Sequence, residues 1–357
     1  MTLNFKTIRE CVDLRGKRVF LAIDLNVPIQ GGKMVDDYRI TRSKKTLDFL
    51  AENGARTLLV SHRTNENDSL VPVYEELKKQ YPVIFAKTTK ETKTALEKTE
   101  NGSFVLLENI RQLKGEKENE EAFAKKLASL ADVYVNEAFS ASHRAYASVV
   151  GVPKFLPHYA GFLFEEEVQN LSKAFSPAHP FLFILGGAKT ETKLPLLEKF
   201  LSIADTVYIG GVLANDVLKA RGEPVGSSSV SATAFPSVLL HNSKLCAPQD
   251  AVRSEDRIVD AGERTVADIR ARAREAKLIV WNGPLGEYER GFTAGTEGVA
   301  RALAESGAET IVGGGDTLAA IARLGIHDKF SFVSTGGGAM LEFLATGTLP
   351  GIEALQK

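Results

Sequence analysis

The chain has 357 residues, of which 44% are hydrophobic and 25% are charged, and its formal net charge is −1. This composition is typical of a folded globular protein and argues against disorder. The length exceeds that of one common domain of about 100–200 residues. A nearly neutral chain has no general basic field, so nucleic acid and anionic lipid are not expected as partners.

The cysteines and the apolar runs exclude further classes of protein. Cys11 and Cys246 are far apart and lack ligand-like spacing, so they form neither a disulfide framework nor a zinc site. No apolar run approaches the roughly 18 residues that a membrane span needs. Residues 1–11 lack the apolar core of a signal peptide. We therefore expect a cytoplasmic protein that does not bind a membrane.

Short apolar runs alternate with amphipathic stretches in the first half of the chain. Residues 120–130 place Phe123, Leu127 and Leu130 on one helical face, with lysines opposite. Buried strands that alternate with such helices predict parallel sheets with right-handed crossovers. The predicted strands are residues 18–23, 56–60, 83–86, 104–108 and 132–139.

Polar and basic residues follow these strands, at the point where ligands bind in open α/β sheets. They are Asp24, Asn26, His62, Asn109, Arg111, Asn136, His143 and Arg144. Arginine forks bind carboxylate and phosphate groups in a bidentate manner, so the set favours a small, strongly anionic ligand. Taken singly, His62 is more typical of an ordinary histidine at a strand end. Each arginine, taken singly, is more typical of a surface ion pair. Their joint placement favours a site.

The segment 150–180 separates the two halves. It holds four prolines, and an amphipathic stretch from Glu165 to Phe175 lies between the two proline pairs. Because proline ends helices and stiffens connections, we predict a helical linker between two domains. The predicted limits are 1–160 for the first domain, 161–178 for the hinge and 179–344 for the second domain.

In the second half, five apolar runs end in glycine instead. Glycine lets backbone N–H groups close on a phosphate chain, and a following helix N-terminus adds partial positive charge. We therefore predict a nucleotide site in this half. The glycine motifs span residues 186–189, 210–211, 281–286, 313–317 and 334–338.

The first glycine motif carries two lysines, Lys189 and Lys193, at the start of a predicted helix. Their spacing places both ammonium groups on the same side of that helix. The helix dipole disfavours cations there, so the pair favours a bound anion. The alternative is a glycine turn with two solvated lysines. The motif is neither a Walker A loop nor a GxGxxG dinucleotide fingerprint.

Two further glycine motifs offer candidate ligands. Asp316 in the GGGDT motif can hold Mg²⁺ beside a triphosphate, directly or through water. Equally, Asp316 or Thr317 caps the helix that follows. The turn from Trp281 to Gly286 is predicted to be exposed, with Asn282 bonded to phosphate or ribose.

In their order along the chain, these motifs resemble the phosphoglycerate kinase family, from about Asp13 to Leu355. They read RGKRVFLAIDLNVP, GGKMVDDYRI, VLLENIR, FAKKLASLADVYVNEAF, HRAYAS, ILGGAKTETK, IVWNGPLG, IVGGGDT and VSTGGGAMLEFL. The resemblance implies a glycolytic phosphotransferase that converts 1,3-bisphosphoglycerate and ADP into 3-phosphoglycerate and ATP, with Mg²⁺ as cofactor. It implies an α/β fold of two doubly wound parallel-sheet, Rossmann-like domains joined by a helical hinge. It also implies a monomer whose C-terminal tail, residues 345–357, packs on the first domain.

The resemblance assigns roles to residues. Arg39, Lys189 and Lys193 are the expected catalytic residues, and Asp316 is the expected metal ligand. The expected glycerate-binding residues are Asp24, Asn26, Arg39, His62, Arg111 and Arg144. The expected nucleotide-binding residues are Gly187, Lys193, Gly210, Gly211, Asn282, Glu289, Gly314, Gly315, Asp316 and Thr317.

One loop departs from the family pattern. Where the family usually reads SHLGRP, this chain reads SHRTNEN, so Asn65 replaces an arginine. Arg63 either presents its guanidinium in place of that arginine or is solvated. The altered loop leaves open a non-catalytic relative that binds nucleotide as a regulator. A third hypothesis, a nicotinamide dehydrogenase, is disfavoured because GxGxxG is absent.

Overall fold

The structure is a computed structural model that describes residues 4–188 and 190–356, without the side chains of residues 191 and 192. The chain divides into two compact units, Met1–Gln169 with Thr348–Lys357, and Asn170–Gly347. Each unit contains one six-stranded sheet. Within the described ranges, no helix has both the length and the apolar character needed to cross a membrane.

The first unit is built on a parallel sheet with the strand order β5-β6-β4-β1-β7-β8. Its strands are β1 (Arg18–Ala22), β2 (Ile29–Gln30), β3 (Lys33–Met34), β4 (Arg56–Val60), β5 (Val83–Ala86), β6 (Phe104–Leu107), β7 (Val133–Asn136) and β8 (His158–Ala160). Its helices are α1 (Tyr38–Glu52), α2 (Val71–Leu77), α3 (Thr89–Lys98), α4 (Glu121–Ala128) and α5 (Phe162–Ser172), the last of which runs past Gln169 into the second unit. Strands β6 and β7 are buried along their whole length, as expected when both faces of a parallel sheet are covered.

The second unit repeats this architecture with the strand order β11-β10-β9-β14-β15-β16, again parallel. Its strands are β9 (Phe181–Leu185), β10 (Thr206–Ile209), β11 (Leu245–Cys246), β12 (Ala251–Ser254), β13 (Arg257–Ala261), β14 (Leu278–Asn282), β15 (Glu309–Gly313) and β16 (Phe332–Val333). Its helices are α6 (Thr190–Ile203), α7 (Gly211–Ala220), α8 (Ser237–Leu240), α9 (Glu263–Glu275), α10 (Ala294–Ala304), α11 (Gly315–Leu324) and α12 (Gly338–Thr346). The predicted fold class, two parallel-sheet α/β domains, is confirmed.

Individual elements follow the sequence patterns with small shifts. The amphipathic stretch 120–130 forms α4, and the linker stretch forms α5, which begins at Phe162 rather than Glu165. Strand β7 ends at Asn136 rather than residue 139, because the Asn136 side chain accepts a hydrogen bond from the Ala138 N–H and turns the chain out of the sheet. The predicted domain limits stay predictions.

The C-terminal tail packs within the first unit. Helix α13 (Pro350–Ala354) approaches Ser142 so closely that a Cβ at Gly351 would lie 2.5 Å from its side chain. The Gly351 N–H also donates to the Ser142 carbonyl at 2.9 Å. Ile352 and Leu355 are buried. A glycine is therefore required where the tail meets this segment.

A buried carboxyl holds the start of α5. Glu137 follows β7, is 1% exposed, and accepts hydrogen bonds from the Leu163 and Phe164 N–H groups and from Thr46. Its second oxygen is buried without a hydrogen-bond partner. Burial raises the pKa of Glu137 to about 8. The carboxyl is therefore protonated in the folded protein at neutral pH.

This pKa shift predicts a pH-dependent stability. The folded pKa lies above the ordinary value of 4.5, so the contribution of Glu137 is complete below pH 4.5 and is lost as the pH rises through about 8. Each pKa unit of difference corresponds to about 1.4 kcal/mol. Glu137→Gln, which stays neutral, should gain stability relative to the native chain between pH 5 and pH 9. Thermal unfolding at several pH values across that range measures the difference in stability between the variant and the native chain. Glu52→Gln, at an exposed position, serves as the control and should show no such pH-dependent gain. If the stability of Glu137→Gln differed from that of the native chain by the same amount at every pH, the prediction would be contradicted.

Candidate active site

The anionic-ligand residues of the first unit meet at the carboxyl edge of its sheet. Asp24 follows β1 and is buried, and its carboxylate pairs with Arg39 of α1. The same carboxylate accepts from the Ser140 hydroxyl and from the Asn26 N–H, the latter at 2.9 Å. Although burial opposes it, the positive charge of Arg39 holds the pKa of Asp24 below its usual value. Asp24 thus fixes the Arg39 guanidinium at this edge.

His62 follows the neighbouring strand β4 and lies among three guanidinium groups. Burial and the charges of Arg39, Arg63 and Arg111 lower the pKa of His62 to about 4, against the opposing effect of Asp24. The imidazole is therefore neutral near pH 7. A neutral imidazole can donate a hydrogen bond to an anion, while the arginines supply the positive charge.

Asn109, which follows β6, organises the loop of residues 62–68. Its amide oxygen accepts from the Arg63 N–H at 3.1 Å and the Arg111 N–H at 3.2 Å. Its amide nitrogen donates to the carbonyls of Asn65, Glu66 and Asp68 at 2.9–3.2 Å. Asn109 is fully buried. Its role is to fix the loop, which a pattern of strand-end residues alone does not show.

The same loop is held by residues that the sequence assigned to the ligand. Asn26 and Thr64 form two reciprocal hydrogen bonds, at 2.8 and 3.1 Å. The Arg111 guanidinium donates to the carbonyls of Arg63 and Thr64, at 3.2 and 3.4 Å. Asn26 and Arg111 therefore hold the loop of residues 62–68 in place, and they also interact with Asp24 and His62, respectively.

The expectation that Arg63 is solvated is wrong. Its side chain is 7% exposed and donates to the Val27 carbonyl, because the Asn109 bonds turn the loop inward at this residue. Asn65 is exposed. Arg144 is exposed as well, and none of the ion pairs among the described residues includes it. Among the described residues, Arg39 and Arg111 interact with the groups around Asp24 and His62, whereas no hydrogen bond or ion pair connects Arg144 to them.

The glycine motifs of the second unit meet at the carboxyl edge of its own sheet. A Cβ at Gly211 would lie 2.7 Å from the Gly187 carbonyl, and one at Gly283 would lie 2.5 Å from the Gly186 carbonyl. Gly187, Gly211 and Gly283 also have positive φ angles of 94°, 62° and 91°. Both features require glycine, so backbone packs directly on backbone.

A cavity of about 350 Å³ opens beside these turns. Of the predicted nucleotide residues, Gly187, Gly211, Glu289 and Asp316 line it. The others do not, and they belong to the adjacent strand ends and helix starts: Lys193, Gly210, Asn282, Gly314, Gly315 and Thr317. Such a volume is within the range of small-molecule sites.

Sequence reasoning missed part of the cavity wall. Asn215 and Tyr288 line the cavity, together with Ser229 from the serine-rich stretch 226–234. Asn215 lies four residues after Gly211 in α7, so helical spacing from the glycine pair is a pattern that could have found it. Tyr288 is the second residue after the WNGPLG turn, but nothing in its residue type predicts its direction.

Trp281 and Thr317 stabilise the WNGPLG turn from inside. Trp281 is fully buried and donates to the Gly283 carbonyl at 2.9 Å, so the prediction of an exposed turn is wrong. The Gly283 N–H donates to the Thr317 hydroxyl at 3.0 Å. Asn282 is 4% exposed, with its amide nitrogen 3.5 Å from the Met340 sulfur.

Lys193 is buried, and its ammonium donates to the Gly186 carbonyl. The alternative of a solvated lysine is therefore wrong for Lys193, since the tight glycine turn covers it; Lys189 lies outside the described residues. A Cβ at Gly187 would come within 2.6 Å of the Lys193 nitrogen, so this glycine leaves room for the ammonium. The arrangement places a cation directly under the turn that faces the cavity.

Asp316 provides a carboxylate at the cavity. Helix α11 begins at Gly315, with Gly314 at its N-cap and no side-chain cap bond, so the capping interpretation of Asp316 and Thr317 is wrong. Burial and the charge of Glu289 raise the pKa of Asp316, and Lys193 opposes this shift. Two carboxylates with an adjacent open volume are the oxygen ligands that suit Mg²⁺, which usually takes its other ligands from water and phosphate.

Comparison with known proteins identifies the family. The family model described as phosphoglycerate kinase matches residues 8–244 and 235–347. The chain is 42% identical to the phosphoglycerate kinase of Rubrobacter xylanophilus and 39% identical to that of Pelotomaculum thermopropionicum, covering 98% of both chains in each case.

Solved structures agree with these sequence matches. The phosphoglycerate kinase of Coxiella burnetii superposes with a TM-score of 0.82 at 36% identity, and that of Pyrococcus horikoshii with 0.87 at 30%. Each comparison covers 98% of both chains. Nothing in these matches supports a dehydrogenase or a non-catalytic regulator. The chain therefore belongs to the phosphoglycerate kinase family of phosphotransferases.

Proposed function

We propose that this kinase transfers a phosphoryl group directly between 1,3-bisphosphoglycerate and ADP, with the glycerate on the first unit and the nucleotide on the second. The observation that carries the proposal is the contrast between the two sheet edges. One edge gathers guanidinium groups around Asp24 and His62, and the other gathers glycine turns over Lys193. The first suits a small anion, and the second suits a phosphate chain.

The proposed residues are those that the family resemblance indicated. Asp24, Asn26, Arg39, His62, Arg111 and Arg144 hold the glycerate. Gly187, Lys193, Gly210, Gly211, Asn282, Glu289, Gly314, Gly315, Asp316 and Thr317 hold the nucleotide. Asp316 would hold Mg²⁺, which supplies charge neutralisation at the phosphates when bound. We also propose a monomer that acts in the cytoplasm.

Catalysis in this proposal is positioning and charge neutralisation. An oxygen of the ADP β-phosphate attacks the phosphorus of the acyl phosphate, and the bond from phosphorus to the carboxyl oxygen breaks to leave 3-phosphoglycerate. No covalent enzyme intermediate is needed when both substrates are held in line. Arg39 and Lys189 stabilise the transferring group, and the pairing of Arg39 with Asp24 fixes one of these cations before the substrate arrives.

Removal of either cation should slow turnover more than it weakens binding. We expect Arg39→Ala and Lys189→Ala to lower kcat by about 100-fold to 1,000-fold, the effect of losing one transition-state contact. A coupled assay with 3-phosphoglycerate and ATP measures kcat, and calorimetry measures the nucleotide Kd. Lys44→Ala, which removes an exposed cation from the same helix α1, should leave both unchanged. Unchanged turnover in both active-site variants would refute these roles.

The proposal also requires movement, because the two substrates bind on different units and the reacting atoms must come within about 3–3.5 Å. We propose that rotation about α5 and its flanking segments joins the substrates and expels water. Small-angle scattering should show a smaller radius of gyration with saturating 3-phosphoglycerate and a nonhydrolysable ATP analogue together than with neither. An unchanged radius would argue against closure.

Asn65 should weaken the glycerate site relative to a chain with arginine there. Asn65 is exposed and neutral, whereas Arg63 is buried and bonded to Val27, so we expect Asn65→Arg to lower the KM for 3-phosphoglycerate with little change in kcat. Asn67→Arg adds the same charge two residues further along and serves as the control. An equal fall in KM for both variants would indicate a general charge effect and remove Asn65 from the site.

A further inference from the structure

A buried aspartate joins three segments around the nucleotide cavity. Asp216 lies in α7 and is 5% exposed. One carboxylate oxygen accepts from the Thr190 hydroxyl and from the Ser231 hydroxyl, both at 2.6 Å. The other accepts from the Ser231 N–H at 2.7 Å. A single carboxylate therefore connects α7, the first residue of α6 and the loop of residues 226–234.

These donors provide hydrogen bonds to both oxygens of the Asp216 carboxyl group. Among the described residues no cation lies within ion-pair distance of it, and it does not line the cavity. A buried carboxyl group that lost these hydrogen bonds would have unsatisfied oxygens, so the three segments are held together as one unit.

Each connected segment leads to a different part of the nucleotide site. Thr190 comes directly after Lys189 and three residues before Lys193 in the first turn of α6. Ser231 continues the loop that carries Ser229 into the cavity wall, and the Ser229 carbonyl accepts from Asn215 at 3.0 Å. Adjacent residues of α7 thus hold the loop, and one of them also holds the lysine-bearing turn.

We propose that Asp216 is a positioning residue that sets the lysine-bearing turn of α6 through Thr190 and the cavity wall through Ser231, an inference that rests on the proposed nucleotide site. Asp216 touches neither substrate, because it is buried behind the cavity wall. The hydrogen bond to Thr190 (the Thr190 arm) and the hydrogen bonds to Ser231 (the Ser231 arm) have separable effects. The Thr190 arm governs turnover, and the Ser231 arm governs nucleotide affinity.

Substitutions of the two hydroxyls test the arms separately. Thr190→Val should lower kcat about tenfold and raise the ADP Kd by much less, a small effect that follows because the same turn carries Lys193. Ser231→Ala should raise the ADP Kd about tenfold, measured by calorimetry, and leave kcat at saturating nucleotide unchanged. Ser202→Ala, an exposed hydroxyl at the other end of α6, should change neither quantity.

Substitution of the carboxylate should combine both effects. We expect Asp216→Ala to lower kcat and raise the ADP Kd, and Asp216→Asn to restore part of each because the amide oxygen can still accept from the Thr190 and Ser231 hydroxyls. The KM for 3-phosphoglycerate should not change. A purely structural residue would lower the Tm alone, so kcat and Kd values within twofold of the native chain in both hydroxyl variants would overturn the proposal.

The outcome separates this inference from the proposed function. If the native chain has no activity with 3-phosphoglycerate and ATP, the proposed function fails, and the ADP Kd of Ser231→Ala still tests the loop arm. If Asp216→Ala does not fold, the two hydroxyl variants decide the matter, since each removes one hydroxyl and leaves the carboxylate in place.

Discussion

Parallel strand pairing is the constraint on which both candidate sites depend. Because all strands of each six-stranded sheet run in one direction, their carboxyl ends meet at a single edge. Asp24 and His62 are far apart in the sequence, yet they become neighbours because β1 pairs with β4. In the second unit, the parallel pairing of β9 with β10 likewise brings together Gly187 and Gly211, which follow these strands. Each edge then takes its chemistry from the few residues that follow its strands.

Buried carboxyl groups position the neighbouring side chains and segments at the edges of both sheets. Asp24 is buried beside Arg39, and its negative charge holds the Arg39 guanidinium in place. Asp216 acts on neutral donors in the same way at the other sheet. Glu137 is the contrasting case, since none of the ion pairs among the described residues includes it and burial raises its pKa to about 8. Ionised and protonated carboxyls thus hold different parts of the framework.

Glycine has a different function at the two kinds of position in the second unit. At Gly211 and Gly283 it allows one backbone segment to pack on another, so the turns become rigid without side chains. At Gly187 it leaves space for the Lys193 ammonium under the turn. The proposed nucleotide site therefore combines fixed backbone donors with a cation that is already partly desolvated, and desolvation strengthens the attraction of a cation for phosphate.

The sequence by itself determined the fold class, the strand-end positions of the polar residues and the glycine motifs, because strand periodicity and residue type are local properties. Only the tertiary structure decided where side chains point. Trp281 is buried rather than exposed because β9 and β15 flank its strand on both sides. Arg63 bonds to Val27 rather than to solvent because Asn109 supplies hydrogen-bond partners from outside the local pattern. Asp216 had no recognisable motif, since its three hydrogen bonds come from segments distant in sequence. Hydrogen bonds between distant segments follow from packing, and no local pattern specifies them.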